Sequence, residues 1–479
     1  MLTKITSLGT ELVRPNENIS FPIGTILAVQ GYFEKLGLAE VFGKHKSRGR
    51  DINSLIMALV SYRLSENLSV TRGADWINRP EVLDVFGLEP FEQRTLYRVL
   101  ETIGNNRMEI MADIQDILFR VYEFEHTDIN LDWTSFVLHG DKCPIGRYGY
   151  SRDHRPDKPQ ITVGVSELAW PINVPIGLTV REGNINDQVH FVDTFEQVED
   201  RLRPGSLVVF DQGANRKANL DRIEHADLKF LTMRQINKSD EKTWIKNFDT
   251  AQAELVDEKQ GVYGFKRRFP SRINYLFFSE ELYLNQMESK QRKVERMLDE
   301  ALSIQKSIEA NRGLPKRYRI NNPLITCEYS YQTKLTMLSD KEARKILKKA
   351  AITGREGYFC LVSNKDLTLQ EALTIYRQKD SIEKIFNTLK NEIDIKPLRV
   401  WTEPSIYGAL ILAFIAQLFI SLMRFEHPEL KHISPKFIKT SLMNLTVTIE
   451  HQKSARKRQI FSNFSPISMA ILAHETAIT

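Results

Sequence analysis

Two aspartates and one glutamate stand where a chain can aim carboxylates into a common crevice. Asp132 lies inside a β-branched, apolar run, DINLDWTSFVL (128–138), next to Trp133 and Thr134. Asp211 directly follows LVVF (207–210) and precedes Gln212 and Gly213. An aspartate at the end of a buried strand, followed by glycine where the chain must turn, can present its carboxylate at the sheet edge. Taken singly, each has the ordinary chemistry of a turn former or helix cap. Glu383 belongs to the helical segment YRQKDSIEKIFNTLK, in which Tyr376, Lys379, Glu383 and Lys390 share one face. At roughly 100° per residue these four fall within an arc of about 60°. Ile382, Ile385, Phe386 and Leu389 form the adjoining apolar face, so one edge of a buried helix carries an aromatic ring, two ammoniums and a carboxylate. On an isolated helix such a ladder is a solvated row of surface pairs. Beside two strand-borne aspartates it suits another chemistry, because hard divalent cations take oxygen ligands.

Asp132, Asp211 and Glu383 together resemble the D, D, E triad of insertion-sequence transposases. The helix is similar to that family's Y-x-x-R-x-x-x-E-x-x-x-x-x-x-K signature through Tyr376, Lys379, Glu383 and Lys390. Further stretches carry the likeness: LDWTSF, YGYSRDHRPDKPQITVGV, PIGLTVREGNINDQ and VVFDQGANRKANL. It runs through about residues 40–425, and the gap from Asp211 to Glu383 is more than twice that from Asp132 to Asp211, as an insertion requires. One position departs from the pattern. Lys379 stands where the family has arginine, which keeps the charge and loses the bidentate fork for phosphate; Arg377 points away on an ideal helix.

The resemblance implies a multidomain α/β protein with an RNase H-like mixed sheet flanked by helices. It implies that Asp132, Asp211 and Glu383 bind divalent metal, two Mg²⁺ ions with Mn²⁺ able to substitute. Two ions about 4 Å apart can stabilise both the attacking and the leaving oxygen of a phosphodiester displacement. Water attacks first and frees a 3′-OH, which then attacks target DNA. Tyr376, Lys379 and Lys390 would hold the phosphates of the transposon end. The implied partners are double-stranded DNA, as terminal inverted repeats and target, and a second copy of the chain in a homodimeric synaptic complex. The implied location is cytoplasmic, on the nucleoid. A nuclease of the same fold that does not join strands, and a binding protein that has lost catalysis, remain as rivals.

Several elements must position these residues. Asp51 and Ser69 each precede a helical run, and Leu96, Val99, Leu100 and Ile103 mark a third. Short helices with Arg48, Arg50, Arg94 and Arg98 fit a helix-turn-helix-like DNA reader over residues 1–125, and equally an ordinary helical packing module. Strands are expected at 128–138, 161–165, 176–180, 207–210 and 228–233, with helices from about Asp187 to Arg203 and Asn215 to His225. This first part of the catalytic core spans 126–236. Residues 237–354 read as an inserted α+β subdomain, with strands INYLFF and TCEYSYQ and a charged helix from Glu280 to Ala310. The core resumes over 355–425 with YFCLVSN and one helix from Leu369 to Glu392, and a basic region covers 426–479.

The loop SRDHRPDKPQ offers Arg152, His154, Arg155 and Lys158 to DNA backbone, or is a solvated turn fixed by its prolines. Arg216, after Asp211, is a second candidate DNA contact; with Asn215 it can also cap the following helix. Asp153 and Asp157 are further possible metal ligands. Trp133 fits a core position better than a base-stacking one.

At 479 residues the chain is long enough for several domains, and 42% hydrophobic with 27% charged residues excludes disorder and a multi-span membrane protein. The net charge of +5 is local: residues 431–479 hold Lys431, Lys436, Lys439, Lys453, Arg456, Lys457 and Arg458 against Glu450 and Glu475, and the rest balances. Such a patch hints at a polyanion partner. Cys143, Cys327 and Cys360 are too widely spaced for a disulfide framework or a zinc site, which points to a reducing compartment. The first thirty residues lack a signal-peptide pattern. Ile406–Met423 is apolar enough for a membrane span, but Gln417 and its charged flanks favour a buried core helix, with no membrane partner expected.

Overall fold

The computed structural model of the chain describes residues 18–472 apart from 47–48, 50, 67–68, 139–141, 311–321, 328–332, 336–339, 393–399 and 452–456. Arg48, Arg50, Lys453, Arg456 and most of the expected TCEYSYQ strand lie outside the described residues. Strand β1 (Asn18–Pro22) precedes helices α1 (Gly24–Lys35), α2 (Leu38–Gly43), α3 (Ile52–Arg63), α4 (Val70–Ile77), α5 (Pro80–Phe86), α6 (Arg94–Asn105) and α7 (Arg107–Tyr122). Asp51 caps α3 by accepting from the Asn53 and Ser54 amides, and Ser69 caps α4 by accepting from Arg72. Leu96, Val99, Leu100 and Ile103 are the buried stripe of α6, while Arg94 and Arg98 stay exposed.

The chain continues through β2 (Ile129–Val137), β3 (Gln160–Leu168), β4 (Val174–Glu182), α8 (Asp187–Glu196), β5 (Leu207–Phe210), α9 (Lys217–His225) and β6 (Lys229–Arg234). Next come α10 (Lys238–Thr243), β7 (Glu254–Asp257), β8 (Val262–Arg268), β9 (Ile273–Ser279), α11 (Glu280–Glu309), β10 (Ile325–Cys327), β11 (Thr333–Leu335), α12 (Asp340–Ala351) and β12 (Tyr358–Ser363). Helix α13 (Leu369–Gln378) is followed by α14 (Asp380–Asn387), a π-helical turn (Thr388–Glu392), α15 (Glu403–Glu426), α16 (Pro435–Asn444), β13 (Thr446–His451), β14 (Lys457–Ser462) and α17 (Pro466–Leu472). The chain divides into two compact units, Met1–Lys229 with Arg377–Thr479, and Phe230–Tyr376.

In the first unit the sheet order is β4-β3-β2-β5. Strands β2, β3 and β4 are antiparallel, and β5 joins β2 in parallel, the RNase H-like arrangement. A parallel neighbour needs a crossover, which α8 supplies between β4 and β5. Asn186 starts that helix by accepting from the Val189 amide. Every residue of β2 and β3 is buried, as expected for strands covered on both faces. On the α8 side, Trp133 donates its indole N–H to Thr194 at 3.0 Å and packs against Phe191, which meets Phe210. Trp133 is therefore a core residue.

Helix α15 is the apolar segment singled out in the sequence. It is long and apolar enough to cross a membrane, and in this fold it is buried inside the first unit. Thr402 caps it and Pro404 fills its first turn. It crosses α6 backbone to backbone, because both crossing points are glycine. A Cβ on Gly408 would lie 2.0 Å from the Leu100 carbonyl oxygen, and one on Gly104 would lie 1.8 Å from that of Pro404. Gly408→Ala is expected to destabilise the unit by about 3 kcal/mol, the upper end of overpacking costs, because backbone has to move. A denaturation midpoint equal to wild type would contradict the close crossing.

The described residues from 426 to 472 are built into this unit and are no appendage. Strand β13 lies between β1 and β14 in a three-stranded sheet, so residues near the two ends of the chain pair directly.

The second unit contains the strand order β6-β12-β9-β8-β7, all antiparallel. Ile236, Leu276 and Cys360 form one core with Trp244, Phe248 and Tyr358 against it, and Val294, Leu298 and Leu347 join α11 to α12 in another. Glu356 anchors the turn before β12. Its burial favours the neutral acid, but the Lys290 ammonium and hydrogen bonds from the Thr353 and Gly354 amides and the Thr353 hydroxyl hold its pKa at about 2. A folded-state pKa below the unfolded value gives stability that is complete above the unfolded pKa and lost as pH falls through the folded one. Glu356→Gln is therefore expected to destabilise this unit at pH 7 and to flatten its acid unfolding between pH 4.5 and 2; denaturant titrations across that range measure it.

Candidate functional site

The site is assembled in the first unit by two adjacent parallel strands and one helix. Leu131 pairs with Phe210 in the β2–β5 register, so Asp132 and Asp211 each come one residue later at the same level of the sheet. Asp132 lies inside β2 and is buried. Asp211 leaves β5 in extended conformation and opens a 3-10 turn over Gln212–Ala214, which leaves its side chain 45% exposed. Alternation along β2 puts Asn130, Asp132 and Thr134 on one face, opposite Trp133.

The segment bearing Glu383 lies against that face, each of the three β2 residues meeting a side chain from it. Ser381 Oγ is 3.4 Å from Asn130 Nδ2, Lys379 Nζ is 4.0 Å from Asp132 Oδ2, and Lys390 Nζ donates to Thr134 Oγ1 at 2.7 Å. Lys379 Nζ also lies 3.4 Å from Asp211 Oδ1. One buried ammonium thus serves both aspartates. Burial alone would lower the Lys379 pKa, but Asp132, Asp211 and then Glu383 outweigh it and raise it, which keeps the ammonium charged. Asp132 responds in the opposite sense: burial pushes it up to about 6, with Lys379 opposing and Asp211 reinforcing the shift. Glu383 is exposed, one helical turn beyond Lys379.

The continuous helix expected over 369–392 is not what forms. Lys379 interrupts it between α13 and α14, and a π-helical turn replaces its end. Thr388 Oγ1 donates to the Lys384 carbonyl at 2.9 Å, a side-chain bond of the kind that bends helices. The ideal-helix angles therefore do not describe where Lys390 ends up. Its ammonium turns to the strand, reaching Asp153 Oδ1 at 3.2 Å as well as Thr134. Asp153, a candidate ligand from the sequence, is that lysine's partner. Tyr376 is half-buried in the last turn of α13.

Arg155 and Asp157 form a two-bond pair at 2.9 Å on the surface, and the Arg155 hydrogen bonds hold the Asp157 carboxyl at about 2. Arg216 occupies the N-cap position of α9, but its side chain makes no capping bond, so the capping role expected of it is corrected. Asp187 is a fourth acid near the site that the sequence did not single out. It begins α8, pairs with Arg152 at 2.7 Å, and lies against Gly213, where a Cβ would be 2.6 Å from Oδ2. Burial raises its pKa, Arg152 opposes this, and Asp211 adds to it. Its only sequence signal was its place in the family-like stretch NINDQ. Arg152 also reaches within 3.9 Å of Asp132. A cleft of about 290 Å³ adjoins this edge, lined by Thr134, Tyr150, Arg152, Asn186 and Asp187 among others.

A sequence model described as Transposase DDE domain matches residues 123–419, more than half the chain, including the strands and helices that carry Asp132, Asp211 and Glu383. The chain belongs to the DDE transposase family. Among solved structures, this transposase is similar to the piggyBac transposase synaptic complex with hairpin DNA, at 12% identity and a TM-score of 0.42, over 88% of this chain and 79% of that one. No curated protein matches it.

The acids of the transposase suit a divalent cation on one structural observation: Asp132 and Asp211 already converge on a single positive charge, the Lys379 ammonium. With that ammonium in place, no group of three His, Cys, Asp or Glu side chains among the described residues is gathered closely enough to hold a metal ion.

Proposed function

We propose that the chain is a DNA transposase that cleaves strands at the terminal inverted repeats of its element and joins them to target DNA, with Asp132, Asp211 and Glu383 holding Mg²⁺ or Mn²⁺. The observation that carries this reading is the level pairing of Asp132 and Asp211 on neighbouring parallel strands, converging on one cation with Glu383 a turn away. Bound divalent metal would supply Lewis acidity to the phosphodiester oxygens. The chain's own residues do the rest. Asp132, fixed within a fully buried strand, and Asp211, partly exposed at a turn, offer oxygens from a rigid base, and Glu383 approaches from the helix. With a divalent cation held by the aspartates, Lys379 would be free to reach a DNA phosphate alongside Tyr376 and Lys390, while Arg155 and Arg216 would contact backbone further out.

In cleavage, a water oxygen bonds to phosphorus and the P–O3′ bond breaks, leaving a 3′-OH and a 5′-phosphate. In joining, that 3′-OH bonds to a target phosphorus and a target P–O3′ bond breaks. The N-terminal helices are the candidate reader of the repeats, and two copies of the chain bring two ends together. The protein acts on the nucleoid, in the cytoplasm and away from the membrane. The test is incubation of the purified chain with a terminal-repeat duplex and a target plasmid, with Mg²⁺ or with chelator. Metal-dependent nicks and joined products are expected. Nicks without joining would favour a nuclease of the same fold, and binding without nicks a protein that has lost catalysis.

A further inference from the structure

We propose that Glu167, Asn130 and Ser381 form a positioning network that locks the Glu383 helix to the Asp132 strand and so sets how tightly the site takes a divalent cation. This rests on the reading of the three acids as cation ligands. Glu167 lies on β3 directly across from Asn130 in the antiparallel register, and only 1% of it is exposed. Ser381 Oγ donates to Glu167 Oε2 at 2.7 Å, and Asn130 Nδ2 donates to the same oxygen at 3.3 Å and to Ser381 Oγ at 3.4 Å. Asn130 is two residues before Asp132 on the same strand face. Ser381 is two residues before Glu383. The network therefore ties the carrier of one acid to the carrier of another within a single triangle of side chains.

A fully buried carboxyl is costly to keep in a strand where valine packs at no such penalty; β3 itself carries Val163 and Val165, both buried. Burial pushes Glu167 up to about 7, with Ser381, Asn130 and the more distant Arg424 opposing. Neither donor gives it a full ionic partner, so its benefit to the fold is small. What it does provide is direction: both donors meet one oxygen, which fixes the rotation of α14 about β2. Residues that orient ligands in this way alter metal affinity by about 10- to 100-fold when removed.

The test is Mn²⁺ binding to the full-length chain, measured by electron paramagnetic resonance, beside urea unfolding and terminal-repeat DNA affinity. Ser381→Ala is expected to raise the Mn²⁺ Kd about 10-fold or more while DNA affinity stays at the wild-type value. Ser381→Thr, which keeps the hydroxyl, is expected to restore it. Glu167→Met keeps length and removes the accepting oxygen, and is expected to weaken Mn²⁺ binding in the same direction, which carries the test if Ser381→Ala folds poorly. Wild-type Mn²⁺ affinity in folded Ser381→Ala or Glu167→Met overturns the network's role, leaving a plain packing contact. Equal Mn²⁺ binding by wild type and Asp132→Asn is a separate outcome: it overturns the ligand reading itself and the network with it.

Discussion

Single replacement of Asp132 by Asn, Asp211 by Asn or Glu383 by Gln is expected to lower strand cleavage by on the order of 10³-fold or more, while terminal-repeat DNA is still bound. The magnitude follows from what the acids are asked to hold, since removing one preorganised electrostatic contributor to a transition state costs on the order of 10²–10³ and a lost ligand also weakens what the other ligands retain. The amides keep size and shape, so packing around β2 and α14 is preserved. Asp132→Asn is the most informative of the three. Its carboxyl sits fully inside β2 with a pKa near 6, so the amide removes a charge the fold itself disfavours. A loss of chemistry with no loss of stability would then separate function from folding. Quantified nicking of a labelled duplex under single-turnover conditions measures it, and cleavage within tenfold of wild type by any one variant would remove that residue from the assignment.

The second large effect concerns Lys379. Lys379→Met leaves Asp132 and Asp211 facing one another with no shared countercharge. Removing one partner of a buried pair costs about 3–5 kcal/mol; the lower end, about 3 kcal/mol, applies because Asp211 is half-exposed. The pH dependence has a definite sign. Lys379 has a raised pKa, so its contribution is complete below its unfolded value and constant across the working range. Asp132 also has a raised pKa, so its favourable contribution is complete below the unfolded value of 3.8 and is lost as pH rises through about 6. The deficit of the variant is therefore expected to be large at pH 8, to shrink at pH 5 as Asp132 takes up a proton, and to shrink again at pH 8 on adding Mg²⁺, which binds only the folded site. Urea titrations under those three conditions decide it, and a metal-free variant as stable as wild type at pH 8 would show that the ammonium is not what balances the aspartates.

Much of this site was legible in the sequence because its determinants are local. Asp132 in a β-branched run, Asp211 between an apolar strand and glycine, and the caps Asp51 and Ser69 all act through near neighbours, and each appears in the expected element. Partnerships across long separations were not legible. The apolar stripe of Ile382, Ile385 and Phe386 begins beyond the break at Lys379 and does not mark it, and the carboxylates that Lys379 meets there lie far away in the chain. Glu167 falls beyond the expected strand 161–165, and nothing local marks it as buried within β3. Strands β7 and β8 carry no clean alternation, since burial is irregular along both, β7 being the edge strand and β8 its neighbour. The β1–β13–β14 sheet joins chain ends that share no local signal. That sheet also changes the meaning of the basic patch at 431–479: part of the fold rests on it, so its role in gripping DNA is better probed by neutralising exposed Lys436 than by truncation.

The most direct test of the central claim is a crystal of the full-length chain soaked in Mn²⁺ and measured at the manganese absorption edge. An anomalous peak bonded to the Asp132 and Asp211 carboxylates is expected, with the Lys379 ammonium displaced from between them. Peaks only elsewhere, or Lys379 still bridging both aspartates at saturating Mn²⁺, would contradict it.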